Sequence, residues 1–82
     1  MSLKDIDNIE NEIRELIATV LEVEADAVLL DAHLVEDLGA DSMMGLEIVA
    51  HLETKYKIEI PEERLPKLAT LRNIIELVKG LL

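Results

Sequence analysis

From Ile6 to Leu21 the apolar residues Ile6, Ile9, Ile13, Leu16, Ile17, Val20 and Leu21 recur at steps of three and four. At roughly 100° per residue they form one stripe along a helix, whereas a half-buried strand would need strict alternation. Such a helix must lay its stripe against other apolar surface, so the rest of the chain has to supply it. The same period returns in Leu71, Ile74, Ile75 and Val78, with Thr70 placed as a cap and Gly80 near the end. Ser2, three residues before Asp5, fits a capping box for the first helix. No stretch reads as a strand, a repeat or a low-complexity tract, and the expected class is all-α.

A second helix is expected from Ser42 to about Tyr56. With Gly45 as the reference direction, Val49, Leu52 and Tyr56 fall within roughly 40° of it on a helical wheel, with Ile48 and Leu46 on the flanks. Met43, Met44, Glu47, His51 and Thr54 point the other way, which leaves two methionines exposed. Ile58 and Ile60 follow, and Pro61 suits the first turn of a short helix reaching about Lys67, in which Pro66 opposes regular geometry. Between the first and second helices lie about 20 residues, from Glu22 to Asp41, with no helical period. They include Val23, Val28, Leu29, Leu30, Leu34, Val35 and Leu38, so the expectation is a loop packed onto the helices with one short turn of its own. A connection of this length is often functional.

Size and charge exclude several classes. Eighty-two residues allow one domain, 1–82, burying roughly 60 to 65% of its unfolded surface. With no cysteine there is neither a disulfide framework nor a thiolate metal site. Tyr56 is the only aromatic residue, and eight bases against eighteen acids give a net charge of −10. Base stacking and phosphate binding are both disfavoured, which argues against nucleic acid as a partner. From Glu15 through Thr54 there is no Lys or Arg, while ten acids fall inside. That block either solvates a monomer through self-repulsion or docks basic partners. No apolar run reaches the roughly 18 residues of a membrane span and no signal-peptide pattern opens the chain, so a cytoplasmic location is expected.

The informative stretch is Leu38-Gly39-Ala40-Asp41-Ser42-Met43-Met44-Gly45-Leu46-Glu47. A serine at a helix start ordinarily caps it by accepting a backbone N–H, a role whose loss costs about 1 kcal/mol. Here the reciprocal Glu or Gln three residues on is missing, because that position is Gly45. A glycine inside a helix costs about 0.8 to 1 kcal/mol relative to Ala, so close packing of another segment on the first turn is expected there. Gly39 and Ala40 leave little bulk around Ser42, and an anion esterified to its hydroxyl would lie at the positive end of the helix.

A catalytic role for Ser42 needs a base. His51, nine residues along the same helix, is about 13 Å away, and His33 is a lone loop histidine. The surroundings of Ser42 are also not Gly-x-Ser-x-Gly. Calcium loops begun at Asp37 or Asp5 fail in register, and the two histidines match no zinc spacing, so no metal is expected.

The run Asp37-Leu38-Gly39-Ala40-Asp41-Ser42-Met43, the acidic block, Glu47, and Glu59-Ile60-Pro61 after the second helix resemble an acyl carrier protein over nearly the whole chain. The resemblance implies a four-helix bundle with a long loop between helices 1 and 2 and a short third helix. It implies phosphopantetheine, taken from coenzyme A by a separate phosphopantetheinyl transferase, attached to Ser42 and holding acyl groups as thioesters. Asp41, beside the attachment point, would help bind the cofactor and belong to the surface that basic partner enzymes read. Met43, Met44, Glu47 and Asp37 would meet acyl-transferring or acyl-ligating enzymes with basic docking surfaces, and the chain would be a non-enzymatic monomer. Met43, Met44 and Gly45 depart from the common residues of such carriers, as do Lys55, Lys57, Arg64 and Pro66. They point to a specialised carrier in fatty acid, polyketide or related synthesis. Two other readings are an acidic helical adaptor in which Ser42 only caps, and a D-alanyl or peptidyl carrier.

Overall fold

The computed structural model describes residues 3–82, with side chains from residue 8 onward. The capping box expected of Ser2 and Asp5 lies outside the described residues. The first helix, α1, spans Leu3–Leu21, and its stripe behaves as the period demands from Ile9 onward, the Ile6 side chain lying outside the described ones. Ile9, Ile13, Ile17 and Leu21, each four residues from the last, are buried, and Ala18 joins them. The helix ends where Glu22 turns left-handed, at φ 56°. Val23 N–H then bonds back to Ala18 C=O at 3.0 Å and Glu22 N–H to Thr19 C=O at 3.4 Å, a Schellman closure made without glycine.

Helix α2, Ser42–Tyr56, ends in the same way: Lys57 has φ 54° and Ile58 N–H reaches Glu53 C=O at 3.2 Å. Its buried direction is rotated from the expected one: Leu52 faces inward as expected, and Ile48, expected on the flank, is central. Ile48 and Leu52 are the buried residues, while Gly45, Val49 and Tyr56 are half-buried and Leu46 is exposed. The core therefore sits on the Ile48–Leu52 row, because α1 and the loop before Ser42 supply their apolar side chains there. The rotation carries Met44 inward, where it packs on the core, so one of the two methionines expected to be exposed is not.

Helix α3, Leu71–Leu81, starts at a reciprocal cap. Asn73 N–H donates to the Thr70 hydroxyl and Thr70 N–H to the Asn73 carbonyl oxygen, both at 3.2 Å. Leu71, Ile74, Ile75 and Val78 are buried, and α1 packs against both α2 and α3. The short third helix of the bundle is a 3₁₀ segment, Glu62–Lys67, behind Pro61 in extended geometry. Pro66 explains the tighter winding: it has no N–H for an α-helical bond, and its ring would meet the carbonyl four residues back.

The long connection is fixed by bonds to distant elements. It holds a single 3₁₀ turn, Ala25–Ala27, in keeping with the short turn expected. Val28 and Leu34 enter the core, and Arg14 Nε donates to Val28 C=O at 2.9 Å. The backbone N–H groups of Arg72 and Leu34 bond to Leu30 C=O at 3.0 Å and Ala69 C=O at 2.9 Å, and Arg72 pairs with Asp31 at 2.8 Å. His33 and Thr70 form an isolated bridge, and no strand occurs among the described residues.

Candidate functional site

The segment before Ser42 is a hydrogen-bonded turn. His33 N–H donates to Asp37 Oδ2 at 2.7 Å, Glu36 N–H to His33 Nδ1 at 3.2 Å, and Asp37 N–H to His33 C=O at 2.8 Å. Gly39, at φ +76°, lets the chain reverse so that Ala40 N–H reaches Leu34 C=O at 2.8 Å and the Ala40 methyl is buried. Gly39 and Ala40 thus act by forming the turn and anchoring it, beyond the low bulk read from the sequence. Asp37 stays exposed, with one carboxylate oxygen committed to the turn.

The cap of α2 is Asp41, not Ser42. Asp41 is extended, at φ −116° and ψ −179°, and its Oδ1 accepts Met44 N–H at 2.9 Å while its C=O accepts Gly45 N–H at 3.0 Å. An aspartate one residue earlier performs the capping with a carboxylate, which the positive helix end favours. Ser42 becomes the first helical residue, exposed, and its hydroxyl makes no hydrogen bond among the described residues. The N–H groups of Ser42 and Met43 likewise have no described partner, as expected of the first residues of a helix.

Beside Ser42 opens an apolar cleft of about 380 Å³. Leu34, Ile48 and Ile74 form its buried floor, and Leu65, Pro66 and Leu68 bring the 3₁₀ segment up as the far wall. Asp41 and Ser42 are the polar residues of the lining. The close packing expected on Gly45 is absent: a Cβ there would meet nothing within 4 Å, and Gly45 faces the cleft.

Met43, 72% exposed, and Glu47 stand on the outer surface of α2 as expected, whereas Met44 turns inward. Leu46 takes its place on that surface, three residues from Met43 and on the same side of the helix. Val35 is a second exposed apolar residue at the site that the sequence reading did not pick out. Its position next to Glu36 and Asp37 in an aperiodic loop carried no signal of which way it faces. His33 Nδ1 accepts Glu36 N–H within the turn, so that nitrogen is not offered to Ser42 as a base. Among the described residues no group of three His, Asp or Glu lies close enough to hold a metal ion.

The family model described as a phosphopantetheine attachment site matches residues 11–78. The acyl carrier protein of Campylobacter hominis is 39% identical over 70 residues, which cover 85% of this chain and 89% of that one. That of Akkermansia muciniphila is 38% identical over 72 residues, 88% and 90% of the two chains. The solved structure of the acyl carrier protein from Enterococcus faecalis superposes with a TM-score of 0.80 at 25% identity, over 94% of this chain and 98% of the other. The fold and site therefore define a phosphopantetheine carrier. The chain belongs to the acyl carrier protein family: it is a carrier and not an enzyme, its cofactor is phosphopantetheine, and it serves a phosphopantetheinyl transferase and acyl-handling enzymes. No helix among the described residues is long and apolar enough to cross a membrane.

Proposed function

We propose that Ser42 Oγ is the attachment point of phosphopantetheine in a single carrier domain, and that the cargo is an aliphatic acyl group. The observation that carries this reading is the division of labour at the start of α2. Asp41 supplies the cap, and the neighbouring hydroxyl is left exposed and without an internal partner. An adaptor whose serine only caps would need the reverse.

The residues present suit the group. Its phosphate would meet the unpartnered N–H groups of Ser42 and Met43 at the positive end of α2. When bound, the arm supplies a thiol that holds acyl groups as thioesters, a chemistry this cysteine-free chain lacks. The floor and far wall of the cleft are aliphatic side chains with Pro66, which suits hydrocarbon cargo better than a D-alanyl or peptidyl group, whose amine would find only the exposed Asp41 carboxylate to pair with. Asp37, Met43 and Glu47, with Leu46 and Val35 added, form the docking surface for basic enzymes in the cytoplasm. Met43, Gly45 and the bases Lys55, Lys57 and Arg64 favour a specialised member over the general fatty-acid carrier.

Intact mass after incubation with coenzyme A and a broad-specificity transferase tests the attachment. The chain is expected to gain one phosphopantetheine and the Ser42→Ala variant none; an unmodified wild type would refute it. Charge-led docking predicts weaker association as salt rises from about 0.05 to 0.5 M, since the screening length falls from roughly 14 to 4 Å. Full rescue of a cell lacking its main carrier would contradict the specialised role.

A further inference from the structure

Gly45 is a glycine that neither its backbone nor its neighbours require. Its conformation is helical, and a methyl group built on it meets no atom within 4 Å. Helix propensity favours almost any other residue there. What the missing side chain leaves is space, and that space is part of the cleft.

The exposure of the lining orders it from mouth to floor. Ser42, Val35 and Leu46 are exposed, Gly45 is half-buried, and Leu34, Ile48 and Ile74 are buried. The depth of the cleft is therefore walled by bulky aliphatic side chains. Its mouth has a residue with no side chain one helical turn from Ser42, on the same side of α2. An acyl chain carried on the arm at Ser42 would enter with its terminal methyl leading, because the polar arm stays in water, and would leave its thioester carbonyl at the mouth. Room at the mouth is room beside that carbonyl.

We infer that Gly45 is a specificity-determining residue that widens the mouth of the cleft for aliphatic acyl groups branched next to the thioester carbonyl. This rests on Ser42 being the attachment point. Straight chains use the depth of the cleft and depend little on Gly45; a branched chain needs the space that any side chain at position 45 would take.

The test compares octanoyl with α-methyl-octanoyl, each transferred as its acyl-phosphopantetheine from the coenzyme A thioester to Ser42 by a broad-specificity transferase, with adenosine bisphosphate leaving, and confirmed by intact mass. Release by hydroxylamine is timed against the same thioester of free pantetheine. Wild type is expected to slow release of both chains. Gly45→Val should speed release of the branched chain about fourfold more than that of the straight one, the worth of burying one extra methyl group. Gly45→Ala should fall between, at roughly twofold, and carries the test if the valine variant does not fold. Equal acceleration of both chains, no acceleration of the branched one, or a wild type that leaves the branched chain unprotected overturns the role of Gly45 alone. A chain that gains no mass at Ser42 overturns the attachment reading and this inference together.

Discussion

The two ends of α2 are built to opposite purposes. At its C-terminal end the half-buried polar side chains, Glu53 and Tyr56, have internal partners. Leu52 is fully buried, Tyr56 donates its hydroxyl to Glu12 Oε2 at 2.8 Å, and Glu53 Oε2 accepts Ile60 N–H at 2.9 Å. At the N-terminal end the polar and apolar groups are left over. The Ser42 hydroxyl is unpartnered among the described residues, Met43 and Leu46 face outward, and the space beside Gly45 is empty. One helix thus anchors itself at one end and offers itself at the other. Stability and function are separable along it, because few residues serve both.

That separation can be broken by mutation. The largest effect is expected at Leu52→Ala, which removes a fully buried side chain from the core. Chemical denaturation should show a loss of about 2 to 5 kcal/mol, whereas Leu46→Ala, at a 57% exposed residue, should stay within about 0.5 kcal/mol. Comparable losses at both positions would show that α2 has no free end. Next comes the cap. Asp41→Ala should cost about 1 kcal/mol, and Ser42→Ala should leave the denaturation midpoint nearly unchanged. A larger loss at Ser42 than at Asp41 would return the capping role to the serine.

The smallest effect sharpens the anchored end. Partial burial raises the Tyr56 hydroxyl pKa above its usual 10.0, and the hydrogen bond to Glu12 and that carboxylate's charge raise it further. A pKa higher in the folded than in the unfolded chain means that the contribution is complete below about pH 10 and is lost as pH climbs above it. Unfolding followed from pH 9 to 11.5 should therefore show wild type losing stability at the alkaline end by more than Tyr56→Phe. Parallel profiles would mean that the hydroxyl is not held by Glu12.

Much of this was legible in the residues, and the failures have a common cause. The α1 stripe, the Thr70 cap and the α3 core residues follow from local spacing, which no distant contact altered. The α2 wheel was misaligned because Gly45, Leu46, Val49 and Met44 are all compatible with burial. A short helix with apolar residues on several sides lets its neighbours choose the face. The identity of the cap stayed open because Asp41 and Ser42 are both good capping residues in adjacent positions, and only the start of the helical turn separates them.

By itself the sequence determined the helical class, a serine beside an aspartate at a helix start, and the acidic stretch around them. Those depend on spacing and residue chemistry that any fold must respect. Tertiary structure alone decided that Ile48 moves from the flank to the centre of the buried row beside Leu52, that Val35 and Leu46 face outward, and that Leu65, Pro66 and Leu68 come across to make a cleft beside Ser42. Direction and enclosure are properties of pairs of segments, and no single segment encodes where its partner will lie.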